Sequence, residues 1–166
     1  MTNNQEAEEF RMGLAMLKAG RHEEAVAFFK SAISLAGDTQ VVDRKMKYLS
    51  YYGLSVALAN RPSKEAIKAC ETAAKSNFFS AEMQLNLGKV YALAGKTTRA
   101  LAAFERGLHR SPNSESLKAE IAALDRRKSP PISWLHRNHP INRFLGRMRA
   151  RFFSSRPSDK TASARV

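Results

Sequence analysis

The chain has 166 residues, 43% of them hydrophobic, and a formal net charge of +13. This length suits one domain with an appendage, and no apolar run approaches the roughly 18 residues that a membrane span requires, which excludes a transmembrane protein. A single cysteine excludes an internal disulfide, and the N-terminus MTNNQEAEEF has neither the basic start nor the apolar stretch of a secretory signal, so the expected location is the cytoplasm.

Seven helices are predicted in chain order, over about 5–18, 22–35, 39–59, 64–75, 81–94, 97–110 and 114–127. The first pair carries Met12-Gly13, Met16, Gly20, Ala25 and Phe29, the second Tyr52-Gly53, Val56, Ala66 and Cys70, and the third Leu87-Gly88, Tyr91, Gly95, Ala100, Phe104 and Pro112. One pattern is therefore written three times. Its glycines, Gly13, Gly53 and Gly88, are 40 and 35 residues apart. A uniform unit of about 34 residues leaves two surpluses. One extra residue falls in the turn Asn60-Arg61-Pro62-Ser63, and six fall between Leu35 and Met46. In that longer insertion Gly37 reads as a helix stop and Asp38 as an N-cap, so the insertion lengthens the start of the third helix.

The repeated residues have physical tasks. Glycine at 13, 53 and 88 and alanine at 25, 66 and 100 let paired helices approach closely. Phe29, Cys70 and Phe104, four residues past the alanines, share their helical face and point into the hairpin seam. Cys70 thus reads as a small buried hydrophobe, not a reactive thiol. The seventh helix, opened by Ser111-Pro112-Asn113-Ser114, carries one apolar stripe of Leu117, Ile121 and Leu124 and is expected to cap the last unit.

This spacing and these small and aromatic positions resemble the tetratricopeptide repeat family over residues 6–113. The third and first units match its pattern well and the second loosely. Glu9, Leu49 and Gln84 stand where a tryptophan is common, and Gly37 and Phe78 where a proline often closes the unit. The resemblance implies an all-α, right-handed superhelical solenoid of three hairpins plus the capping helix over residues 1–128. It implies a non-enzymatic protein-interaction scaffold, of adaptor or co-chaperone type, whose first helices line a concave groove. Transferred to this numbering, the groove consists of Phe10, Leu14 and Leu17, then Ser50, Leu54 and Ala57, then Leu85, Lys89 and Ala92. A subset of the family grips C-terminal carboxylates with cationic and amide residues at set groove positions. Phe10 and Leu14 occupy two of those positions here, so the groove fits the apolar face of a helical or extended peptide better. The alternative is that the chain's own next helix covers it.

Residues 129–166 form a basic appendage. Residues 1–125 hold 17 Lys and Arg against 14 Asp and Glu, whereas 126–166 hold 11 against a single Asp. After Pro130-Pro131, a predicted amphipathic helix places Ile141, Phe144, Leu145, Met148 and Phe152 on one side, with Trp134 and Leu135 upstream. Arg143, Arg147, Arg149 and Arg151 occupy other positions, and Arg137 adds to the charge. The last residues, SSRPSDKTASARV, have the composition of a disordered end. The tail can dock in the chain's own groove or exchange between two chains as a homodimer. Its alternative role is as an anionic-surface binder, on a membrane or on RNA. Tethering favours docking: at an effective concentration of order millimolar, even an intrinsic affinity of ~100 μM leaves the segment mostly bound.

Catalytic and cofactor chemistry has no signature here. His136 and His139 lack neighbouring cysteines or carboxylates that would complete a metal site. The pairs Glu8-Glu9 and Glu23-Glu24 diverge on a helix and read as residues of first turns, offsetting the dipole. Gly88-Lys89 lies within a helix and cannot form a phosphate loop.

Overall fold

The computed structural model describes residues 2–36, 42–77 and 79–127, with side chains from Asn4 to Leu124 in those ranges. Within them the chain is helical: α1 (Thr2–Lys18), α2 (His22–Leu35), α3 (Val42–Ala59), α4 (Lys64–Ser76), α5 (Ala81–Leu93), α6 (Thr97–Arg110) and α7 (Glu115–Arg127). No strand occurs among the described residues. The predicted tail helix, and with it Trp134, Leu135, Arg137, Ile141, Arg143, Phe144, Leu145, Arg147, Met148, Arg149, Arg151 and Phe152, lies outside them.

Helix ends follow local chemistry. The α1 and α5 helices close on Gly20 and Gly95, whose φ of 76° and 71° is the left-handed conformation that glycine adopts without strain. In both, the amide after the glycine reaches back five residues, Arg21 N to Met16 O at 2.9 Å and Lys96 N to Tyr91 O at 2.9 Å. Ser63 caps α4 by accepting from Ala66 N at 3.1 Å, and Ser80 caps α5 by accepting from Met83 N at 3.3 Å. The extra turn residue at 60–63 is accommodated ahead of the Ser63 cap. The insertion lengthens α3 at its start: it spans 18 residues against 13 in α5. Residues 37–41, with the expected Gly37 stop and Asp38 cap, lie outside the described residues.

One expectation at a helix start is corrected. Because α1 begins at Thr2, Glu8 and Glu9 fall beyond its first turn. Glu8 instead accepts from Arg11 at 2.7 Å, an exposed pair three residues apart, which holds its carboxyl below the usual range.

Consecutive helices pair as hairpins, α1 with α2, α3 with α4 and α5 with α6. The glycines explain how closely. A Cβ added to Gly13 would stand 2.6 Å from the Phe29 ring, and one on Gly88 would stand 2.2 Å from the Phe104 ring. At Gly53 it would meet Cys70 Sγ at 2.7 Å and the Ala66 carbonyl oxygen at 2.8 Å. The smaller Cys70 thus brings the α4 backbone itself against α3, where Phe29 and Phe104 interpose a ring.

The hairpins then stack, but not uniformly. The α3 helix packs backbone-close on α5, and α4 also meets α5. At the first junction α3 packs on α2, while α1 meets α3 chiefly through rings. Phe10 lies 4.6 Å from Tyr48 and 5.4 Å from Tyr51, centroid to centroid, and 5.6 Å from Phe29. Aromatic bulk fills that seam, whereas Ser50, Ala57 and Asn86 keep the second one narrow. Leu117 and Leu124 of α7 are buried, with Ile121 packed beside them, so the predicted stripe closes the third hairpin. Ser114 Oγ accepts from Leu117 N at 3.5 Å at the start of this capping helix.

Candidate functional site: the inner helical face

The face made by α1, α3, α5 and α7 holds the nine residues expected to line a groove, and the structure sorts them into two groups. Ser50, Leu54 and Ala57 are 0%, 4% and 3% exposed. They form the packed seam between α3 and α5, not an open surface, because small residues at 50 and 57 let α5 close over them. Phe10, Leu14, Leu17, Leu85, Lys89 and Ala92 remain half-buried. Of these, Phe10 is committed to the aromatic cluster, and Leu17, Leu85 and Ala92 rest partly on the core.

Two further residues were not singled out from the sequence. Leu58 and Leu93 are 37% and 45% exposed, and each stands five residues after its unit's glycine, Gly53 and Gly88. They are one turn beyond Leu54 and Lys89 on the same helical faces. The repeat register itself held the signal: two large apolar residues recur at a position that the hairpin seam does not use. Lys18 occupies it in the first unit.

Charge on this face is neutralised helix by helix. Arg44 of α3 donates to the buried carboxylate of Glu6 in α1 at 2.6 Å. Lys47 of α3 reaches Glu82 of α5 at 3.0 Å, and Lys89 of α5 reaches Glu120 of α7 at 3.6 Å. The two lysine pairs are half-exposed and contribute little to stability individually, whereas the buried Glu6 carboxylate depends on its arginine. The consequence of all three pairs is that the cations facing the neighbouring inner helix are already engaged. Tyr51 also donates to Glu82 at 2.5 Å, and burial, then that carboxylate, push its phenol well above the ordinary range. Deeper in the seam Asn86 Nδ2 donates to Ser50 Oγ at 3.2 Å, satisfying two buried polar groups.

Cys70 donates to the Ser50 carbonyl at 3.3 Å, and burial, then the nearby Glu71 carboxylate, push its thiol up to about 12. A thiol so held stays protonated at neutral pH and is a poor nucleophile. Among the described residues no group of three or more His, Cys, Asp or Glu could hold a metal ion, and no helix is long and apolar enough to cross a membrane.

The Tyr91 hydroxyl joins the second and third units by donating to Glu71 at 2.5 Å. Burial, then this hydrogen bond, push its phenol up to about 12 from an ordinary value of 10. The raised value means that the contribution is complete below pH 10 and is lost as pH climbs through about 12. In urea titrations the stability difference between wild type and Tyr91→Phe should therefore be constant up to about pH 10 and shrink towards pH 12. A difference that grows over that window would reverse the assignment.

Two sequence models, both described as tetratricopeptide repeat, match residues 9–39 and 52–115. The chain belongs to the tetratricopeptide repeat family. It is 32% identical over 121 residues to the Hsp70-Hsp90 organizing protein of Triticum aestivum, a match that covers 72% of this chain but 19% of that protein. The chain thus spans about a fifth of that relative's length. Among solved structures, the Sgt2 tetratricopeptide repeat domain of Aspergillus fumigatus superposes with a TM-score of 0.62 at 16% identity, covering 97% of this chain and 91% of that one. The second such domain of human RPAP3, solved with an HSP70 peptide, gives 0.59 at 18% identity, covering 75% and 98%. PcrH in complex with the chaperone binding region of PopB gives 0.53 at 13% identity, covering 76% and 96%. At these identities the repeat solenoid is what the structures share.

Proposed function

We propose that the chain is a non-enzymatic, cytoplasmic protein-interaction adaptor of co-chaperone type, which holds the apolar face of a helical or extended segment of another protein on its inner face. The exposure of Leu58 and Leu93 at equivalent repeat positions carries this reading. Leu14, Leu85 and Ala92 extend that apolar surface, and soluble proteins expose such recurring apolar positions where something docks. The engaged state of Arg44, Lys47 and Lys89 supports an apolar contact over capture of a peptide carboxylate. Relatives with an Hsp70-Hsp90 organizing role in their name, or solved with a bound peptide or chaperone-binding region, support an adaptor as the class.

The test is the double variant Leu58→Asp/Leu93→Asp. At 37% and 45% exposure neither side chain belongs to the core cluster, so helicity and melting temperature should stay close to wild type. Affinity for a protein captured by the wild-type chain, identified and then titrated in purified form, should fall at least tenfold. Unchanged affinity would move the contact elsewhere. In the fuller proposal the basic segment 132–153 competes for the same face, on the strength of its amphipathic sequence. Deleting residues 129–166 should then tighten partner binding, and unchanged affinity would remove the tail from the mechanism.

A further inference from the structure

The outer helices of the second and third units carry a second surface of different chemistry. On α4, Lys64, Lys68 and Lys75 follow steps of four and seven; on α6, Arg99, Arg106 and Arg110 follow steps of seven and four. Each set falls on one narrow stripe of its helix, and all six side chains are exposed. The contrast with the inner face is direct. There Arg44, Lys47 and Lys89 each hold a carboxylate, whereas Lys64, Lys68, Lys75 and Arg99 have no ion-pair partner among the described residues.

Two contacts link the ends of the arginine stripe to α4 and to the segment that follows it. The Arg99 guanidinium stands 6.0 Å over the Tyr91 ring, whose hydroxyl donates to Glu71 of α4. At the other end of α6, Arg110 lies 4.3 Å over the ring of Phe79, which follows the end of α4 and is 70% exposed. The carboxylates on these two helices are fewer. Glu71 is bound to Tyr91, Glu65 accepts from Tyr52 at 2.9 Å, and Glu105 is the third. The arginine stripe extends about 17 Å along α6.

We propose that this outer surface binds single-stranded nucleic acid without sequence selection, its phosphates on the α4 and α6 cations and a base against Phe79. Arginine's planar donor fork matches phosphate oxygens, and an exposed ring beside a cationic track is the arrangement on which unpaired bases stack. A duplex offers no free base face to Phe79. An acidic protein would gain charge complementarity, but it lacks the planar bases set along an anionic backbone that would engage the ring and the cationic track together.

The experiment uses the full chain and a fluorescein-labelled 12-nucleotide oligouridylate, with anisotropy followed over a series of KCl concentrations. Arg99→Gln/Arg106→Gln should weaken binding at least tenfold and reduce the slope of log K against log salt by about 1.4, two phosphates at ~0.7 each. Phe79→Ser should weaken it about fivefold or more with the slope unchanged. If Arg99→Gln/Arg106→Gln loses helicity, Lys64→Gln/Lys68→Gln gives the same reading, since neither lysine has a described partner. Absence of binding by the wild-type chain overturns the proposal. So does unchanged binding by the arginine variants, which would leave the contact to residues 126–166. Equal competition by a duplex or by an oligoglutamate peptide overturns it as well, the latter in favour of an acidic protein partner.

Discussion

Phe104→Ala should lower the unfolding free energy by about 3–5 kcal/mol, the usual cost of removing a fully buried ring. Phe104 is 0% exposed, and its ring fills the space left by the missing side chain of Gly88. The reciprocal change, Gly88→Ala, puts a methyl where ring atoms already lie 2.2–2.9 Å away and should cost about 1–3 kcal/mol through overpacking. Because the two residues share one volume, their effects should not add. Gly88→Ala combined with Phe104→Leu should be less destabilised than the sum of its two single variants, by 0.5 kcal/mol or more in urea denaturation. Strict additivity would show that the glycine and the ring do not constrain one another.

Leu54→Asp should abolish the fold, not merely a binding surface. Leu54 is 4% exposed within the apolar core shared by α3, α4, α5, α6 and α7. A carboxylate there must be buried uncompensated or must protonate, and the expected loss exceeds about 3 kcal/mol. Circular dichroism should show collapse of the melting transition, against a near wild-type transition for Leu58→Asp/Leu93→Asp. Four residues separate Leu54 from Leu58, and both lie on the same side of α3. Retained folding of Leu54→Asp would mean that α5 does not close over α3 as tightly as Ser50, Ala57 and Asn86 allow.

These two predictions mark how far the sequence could be read. The glycine, alanine and aromatic spacing placed each hairpin, and the intervals between Gly13, Gly53 and Gly88 located both insertions, since each of these features depends on neighbours within one or two turns. That Gly13 meets Phe29, Gly53 meets Cys70 and Gly88 meets Phe104 came from the structure; the spacing placed these residues only in the same seam. The inner face was less legible. Ser50, Leu54 and Ala57 occupy the same register as Leu85, Lys89 and Ala92, yet the first set is sealed and the second half-open. Repeat position assigns a residue to a face of its helix; it does not report how near the next helix stands.

That distance is set by contacts across units. The bulk of Phe10, Tyr48 and Tyr51 occupies the first junction, and the small Ser50 and Ala57 narrow the second. Likewise the ion pairs Glu6 with Arg44 and Lys47 with Glu82 join residues 38 and 35 positions apart, and no local pattern announces them. The sequence by itself determined the repeat, the order of its helices, the cap and the close pairing inside each hairpin, because periodicity and small-residue spacing are local properties. Only the tertiary structure decided which apolar residues stay accessible and which charges are already engaged, because both depend on side chains brought together from different units.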